Sequence, residues 1–100
     1  MGINYVIYKG LSSVKNELIE ILAREIKKDY VHTSWDNNDL IIEIKKMGSS
    51  KINIAFKEVD NKVQINEVKR NIAMMHKPFT AEVEKMVDDI LVNKLGAKRA

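Results

Sequence analysis

The chain has 100 residues, 45% hydrophobic and 31% charged, with 17 Lys and Arg against 14 Asp and Glu for a formal net charge of +3. That length and balance fit a single globular core rather than a disordered tail, and no apolar run approaches the roughly 20 residues of a membrane-spanning helix. Cysteine is absent, which removes disulfides, thiol chemistry and cysteine-zinc sites.

Residues 1–10 lack the charged start, apolar middle and small-residue cleavage site of a signal peptide, so a cytoplasmic protein is expected. Lysine outweighs arginine, and isoleucine and asparagine are common, a bias that fits AT-rich coding in a low-GC bacterium, a phage or a mobile element.

Ile3 to Tyr8 reads as a first strand, apolar on both parities and closed by Gly10. Ser12 or Ser13 is suited to cap a helix over Val14 to Lys28, because a hydroxyl oxygen accepts from a free backbone N–H. Val14, Leu18, Ile19, Ile21, Leu22 and Ile26 fill an arc of roughly 160° on that helix, a stripe wide enough to pack on a sheet. Lys27 and Lys28 fall in its last turn, where cations complement the helix dipole.

The next stretch, Tyr30 to Met74, is a meander of four strands. Asn37-Asn38 forms a two-residue turn that pairs Trp35 with Leu40, Thr33 with Ile42 and Val31 with Ile44. For Leu40, Ile42 and Ile44 to share a face with Ile52, Ile54 and Phe56, the following loop around Met47-Gly48-Ser49 must hold an odd number of residues. With three residues there, Ile41 faces Ala55 and Glu43 faces Asn53. A third turn at Asp60-Asn61 pairs Phe56 with Ile65 and would set Glu67 against Ile54. A bulge near Asn66-Glu67 is therefore expected, placing Val68 inside and turning Glu67 away. Pro78 breaks the chain, Thr80 caps a second helix over Ala81 to Leu95, and Phe79 lies just ahead of its apolar stripe. Val83, Met86, Val87, Ile90, Leu91 and Leu95 form that stripe, Gly96 stops it, and residues 97–100 are expected to fray.

The expected fold is thus one two-layer α+β domain over residues 1–100. It has a mainly antiparallel sheet of about five strands, elements in the order β-α-β-β-β-β-α, and two helices on one face. No catalytic residue, metal ligand set or cofactor motif emerges. The cluster Met74-Met75-His76 reads as packing rather than a soft-metal site, and Asp36 and Asp39 read as turn residues rather than calcium ligands. His32 and Glu43 read as a cross-strand pair with no nucleophile beside them.

The candidate contact surface is the sheet's other face, carrying His32, Ser34, Ile41, Glu43, Asn53, Ala55, Lys57 and Asn66. Its centre is small or flat, with acids toward one end and lysines toward the other. The expected function is non-enzymatic contact with a protein partner or a small anionic ligand, of the kind a phage regulatory or counter-defence factor would make. Apolar residues outside the main stripes (Val92, Ile41 and Ala55) point to a homodimer. The alternative is nucleic-acid binding through Lys45, Lys46 and Lys51 at a hairpin tip with Lys98 and Arg99 in the tail. No aromatic platform beyond Tyr30 supports it.

Overall fold

The computed structural model describes residues 4–26 and 29–99, except for the side chains of Met75 and Phe79. The expected roles of Ile3, Lys27, Lys28, Phe79 and Ala100 lie outside the described residues. The elements run β1 (Asn4–Ile7), α1 (Leu11–Glu25), β2 (Val31–Asp36), β3 (Asp39–Lys45), β4 (Ser49–Val59), β5 (Lys62–Asn71), α2 (Lys77–Asp89) and β6 (Lys98–Arg99). The fold is α+β, an open antiparallel sheet in the order β2-β3-β4-β5-β1-β6 with two helices.

The apolar parity of the strands sets the layers. Leu40, Ile42, Ile44, Ile52, Ile54, Phe56, Val63 and Ile65 are all buried, as are Tyr5 and Ile7 of β1. The same core takes Val14, Leu18, Ile21 and Leu22 from α1 and Val83, Val87, Ile90 and Leu91 from α2. Both helices therefore cover one face. Leu18, Leu22, Phe56, Val87 and Leu91 meet around an apolar cavity of only about 10 Å³. Ile19, counted in the apolar stripe of α1, instead stays 47% exposed and lines a cavity between that helix and β2.

Turn chemistry behaves as the residues dictate. Asn37 has φ 58°, and Asp60 and Asn61 have φ 49° and 63°, the paired positive values of a type I′ hairpin. The β2–β3 and turn-proximal β4–β5 registers are those read from the sequence: Trp35 faces Leu40 and Phe56 faces Ile65.

The β3–β4 register differs by two residues. The loop is Lys46-Met47-Gly48, with Lys45 opposite Ser49, so Ile41 faces Asn53, Asp39 faces Ala55 and Glu43 faces Lys51. A slip of two keeps every side chain on its face, which is why the hydrophobic pattern alone did not exclude it. Met47 takes φ 53° and Gly48 φ 134°, so the tight loop starts one residue earlier than Gly48 by itself implies.

The β4–β5 ladder shifts register between Asn53 and Ile54, whose partners are Lys69 and Glu67, leaving Val68 as the extra residue. The expected inside and outside assignments are reversed: Val68 is 63% exposed, whereas Glu67 stays opposite Ile54. The reason is Arg70. Past the bulge it stands opposite Ile52 on the helix side, and there Glu67 (2.5 Å) and Glu84 bind its guanidinium. A carboxylate at position 67 neutralises a cation that a valine would have left less compensated.

The helix starts also depart from expectation. Neither Ser12 nor Ser13 caps α1. The helix begins at Leu11, whose N–H donates to Glu58 Oε2 of β4 at 2.9 Å. A carboxylate from the neighbouring layer thus does what a local hydroxyl was expected to do, with the helix dipole in its favour. A 3-10 turn at Met74–His76 leads into α2 four residues before the expected start. Pro78 falls in the first turn, where a missing N–H costs nothing, and Thr80 is no cap but donates to the His76 carbonyl (3.3 Å). The helix closes through a π-type turn at Ile90–Lys94, with Leu95 N–H donating to Ile90 C=O, and Gly96 at φ 74° reverses the chain. Residues 98–99 do not fray. They pair with Val6 and Tyr5 as β6.

Glu58→Ala should lower stability in urea unfolding by about 1 kcal/mol, the usual worth of an N-terminal cap. Ser12→Ala and Ser13→Ala should each stay within about 0.5 kcal/mol of wild type.

Candidate functional site

Strand alternation puts the expected contact residues on the face away from the helices. The rows across that face are His32, Glu43, Lys51 and Asn71; then Ser34, Ile41, Asn53 and Lys69; then Asp36, Asp39, Ala55, Asn66 and Asn4; then Lys57, Gln64, Val6 and Lys98. His32 does lie opposite Glu43, and Ala55 does lie opposite Asn66. Ile41 is not surplus apolar surface: it is only 6% exposed, enclosed by outer-face neighbours and separate from the main core. Val92 is also half-buried against the core, so neither residue supplies the exposed surface that first suggested a dimer.

The polarity of this face differs from the expected one. It runs across the strands rather than along them. Asp36, Asp39 and Glu43 are all on β2 and β3, with one lysine, Lys45, at the end of β3 beside Glu43. Lys51 and Lys57 on β4, Lys62 and Lys69 on β5, and Lys98 on β6 occupy the other side, interleaved with Asn53, Asn66, Asn71 and Gln64. Among the described outer-face residues of β4, β5, β1 and β6 there is no carboxylate.

The residues expected to form a nucleic-acid patch do not act together. Lys45 lies 3.7 Å from Glu43, Lys46 sits over the Tyr30 ring at 4.8 Å, and Lys51 and Lys98 belong to the basic half-face. Arg99 turns to the helix side, where it grips Asp88 through both carboxylate oxygens at 3.0 and 2.6 Å. Asp88 also accepts from the Tyr5 hydroxyl at 2.5 Å. This clasp joins β1, α2 and β6. Burial and the bond to Asp88 push the Tyr5 phenol up to about 12, and the bonds from Arg99 and Tyr5 hold the Asp88 carboxyl below its ordinary 3.8.

A second cluster went unread in the sequence. Ser50, next to the loop expected around Met47-Gly48-Ser49, stands opposite Ile44 on the inner face, 1% exposed, beside His76, also 1% exposed. His76 Nε2 donates to the Lys46 carbonyl at 2.6 Å, which in a neutral ring leaves Nδ1 to accept from the Ser50 hydroxyl at 2.5 Å. Ser50 Oγ in turn accepts the Ala73 N–H at 2.8 Å. The geometry resembles a serine activated by a histidine, but both groups are sealed from solvent. Their bonds tie the β3–β4 loop to the entry of α2. The two-residue register slip, which sets Ser50 opposite Ile44 within the ladder, is what hid the pair.

Among the described residues no three His, Asp or Glu side chains group to hold a metal ion; His76 is buried as expected of packing, but Met74 is 81% exposed and does not pack. No helix among them is long and apolar enough to cross a membrane. Comparison with family models, curated proteins and solved structures found no match to the chain.

Ser50→Ala removes the hydroxyl from two buried bonds and should cost about 1–3 kcal/mol in denaturant unfolding. The Tyr5–Asp88 pair predicts two pH limits. Neutral Tyr5 is favoured in the fold, so its contribution is complete below pH 10 and is lost as pH rises from 10 toward 12. Ionised Asp88 is favoured, so its contribution holds above 3.8 and is lost as pH falls below that value. In unfolding midpoints measured against pH, Tyr5→Phe should flatten the alkaline decline relative to wild type.

Proposed function

We propose that the chain is a non-enzymatic binding protein that acts by contact between the outer face of its sheet and a protein partner. The observation that carries this reading is the separation of charge across that face: three carboxylates against the single Lys45 on β2 and β3, and lysines without carboxylates on β4, β5 and β6. Such a surface is matched by a partner carrying both signs in the reverse arrangement, which a folded protein can offer. Interleaved asparagines and a glutamine supply donors and acceptors between the charges.

Nucleic acid is the second reading, favoured by Lys51, Lys57, Lys62, Lys69 and Lys98 sharing one half-face. A strand of phosphates crossing the sheet would then run over Asp36, Asp39 and Glu43, which repel it. The lysines are point charges without the planar fork that reads base edges. The mixed face therefore fits a protein better.

Affinity purification from source cells at low and high salt tests the reading, comparing wild type with a Lys51→Glu, Lys57→Glu, Lys69→Glu triple variant. A protein partner held by wild type at low salt and lost by the variant is expected. Retained material that nuclease removes would replace the reading with nucleic-acid binding, and equal retention by the variant would discard this face. Native mass spectrometry of the same eluate identifies a small anion if that is what the lysines hold.

A further inference from the structure

The two ends of the sheet are unlike. β6 is two residues long, both basic, and so is a poor template for further pairing. β2 has six residues, with no proline, no lysine and no bulge among them, and it closes the opposite edge. The Lys45 N–H donates to the Tyr30 carbonyl at 2.8 Å, which fixes the even-numbered residues of this strand as those bonded to β3. The N–H and C=O groups of Val31, Thr33 and Trp35 therefore point off the sheet.

Beside this edge the helical layer is incomplete. Ile19, Leu22, Ala23, Thr33, Trp35 and Leu40 line a cavity of about 230 Å³ between α1 and the end of the sheet. Thr33 is exposed although its parity is that of the core, and so is Ile19. Trp35 is held on its inner side by Phe56, edge to face at 5.1 Å, with Lys15 over its ring at 4.9 Å. Among the described residues the strand is thus anchored at Trp35, unpaired on one side and flanked by uncovered apolar surface.

We infer that β2 pairs antiparallel with β2 of a second copy of this chain, joining two sheets into one continuous sheet about a two-fold axis at Ser34. Antiparallel partners must share a face, so the axis passes through a residue rather than between two. At Ser34 it sets Thr33 opposite the partner's Trp35, with their outward backbone groups exchanging hydrogen bonds on both sides of the axis. On the outer face it sets His32 opposite the partner's Asp36. That carboxylate already lies across from Asp39 within its own chain, and like charges directly opposite are unfavourable. A histidine from the second copy gives it a donor. An axis at Thr33 instead would put His32 against the partner's Ser34 and leave the acid unmatched. On the inner face, Ile19 and Ala23 of the two copies approach over the axis and cover the cavity. The inference is independent of what the outer face binds.

Light scattering on the full chain across concentration tests the pairing, with circular dichroism confirming that each variant is folded. Wild type should run as a dimer at high concentration. Thr33→Lys and Thr33→Pro should run as monomers, since position 33 points off the ladder and neither change breaks a β2–β3 bond. Asp36→Lys and His32→Glu should each lose the dimer alone and regain it when mixed, because the mixed pair restores an opposite charge at both contacts. A wild type that stays monomeric, or a dimer that survives both Thr33 changes, overturns the inference. Failure of the mixture to associate overturns the axis at Ser34.

Discussion

The structure depends on a parity constraint. Along β3, β4 and β5, every second side chain must enter the helix-covered layer, and a pairing slip of one residue would expel Ile42, Ile52 and Ile54 together. At about 1.5–3 kcal/mol for each fully buried aliphatic side chain, such a slip costs a sum comparable to the whole stability of a typical domain. A slip of two costs far less. The turns therefore choose among the registers that parity permits, and the observed three-residue loop Lys46-Met47-Gly48 selects the one that pairs Ser50 with Ile44.

Where parity conflicts with composition, polar groups adapt. On β5 the positions after Ile65 that face the helices are Glu67 and Arg70 rather than apolar residues. The bulge at Val68 does not remove the charge from the inner face; it sets the two charges side by side beneath Glu84 of α2. The same logic places Ser50 and His76 at one end of the layer and Tyr5, Asp88 and Arg99 at another. These bonds contribute modestly one by one, but apart from Glu67–Arg70 each joins different elements of the fold. The C-terminal strand in particular is held by Asp88 as much as by two residues of ladder.

The sheet core was legible because alternation over Leu40–Ile44 and Ile52–Phe56 is a strong local signal and two-residue turns at Asn37-Asn38 and Asp60-Asn61 fix register without reference to the rest of the molecule. What was not legible depended on distant partners. A cap for α1 from Glu58, a fate for Glu67 decided by Arg70, and a strand at Lys98–Arg99 decided by Asp88 leave no local mark. The outer-face membership of His32, Glu43, Asn53 and Lys57 followed from parity and survives the register slip. Their partners across the β3–β4 ladder do not, so the charge rows differ from those the loop expected at Met47-Gly48-Ser49 implies.

The direction of that gradient follows from topology. β1 adds beside β5 rather than beside β2, so the lysine-bearing strands β4 and β5 become the middle of the sheet and β2 with β3 its acidic end. With strands spaced about 4.8 Å apart, the centre of the acidic pair lies roughly 14 Å from that of the other four. This exceeds the screening length of about 8 Å at physiological ionic strength. The two halves therefore do not cancel as seen by an approaching partner, despite a net charge of only +3. A partner meets two local fields of opposite sign, and a near-neutral chain gains an orientation preference that its total charge does not reveal.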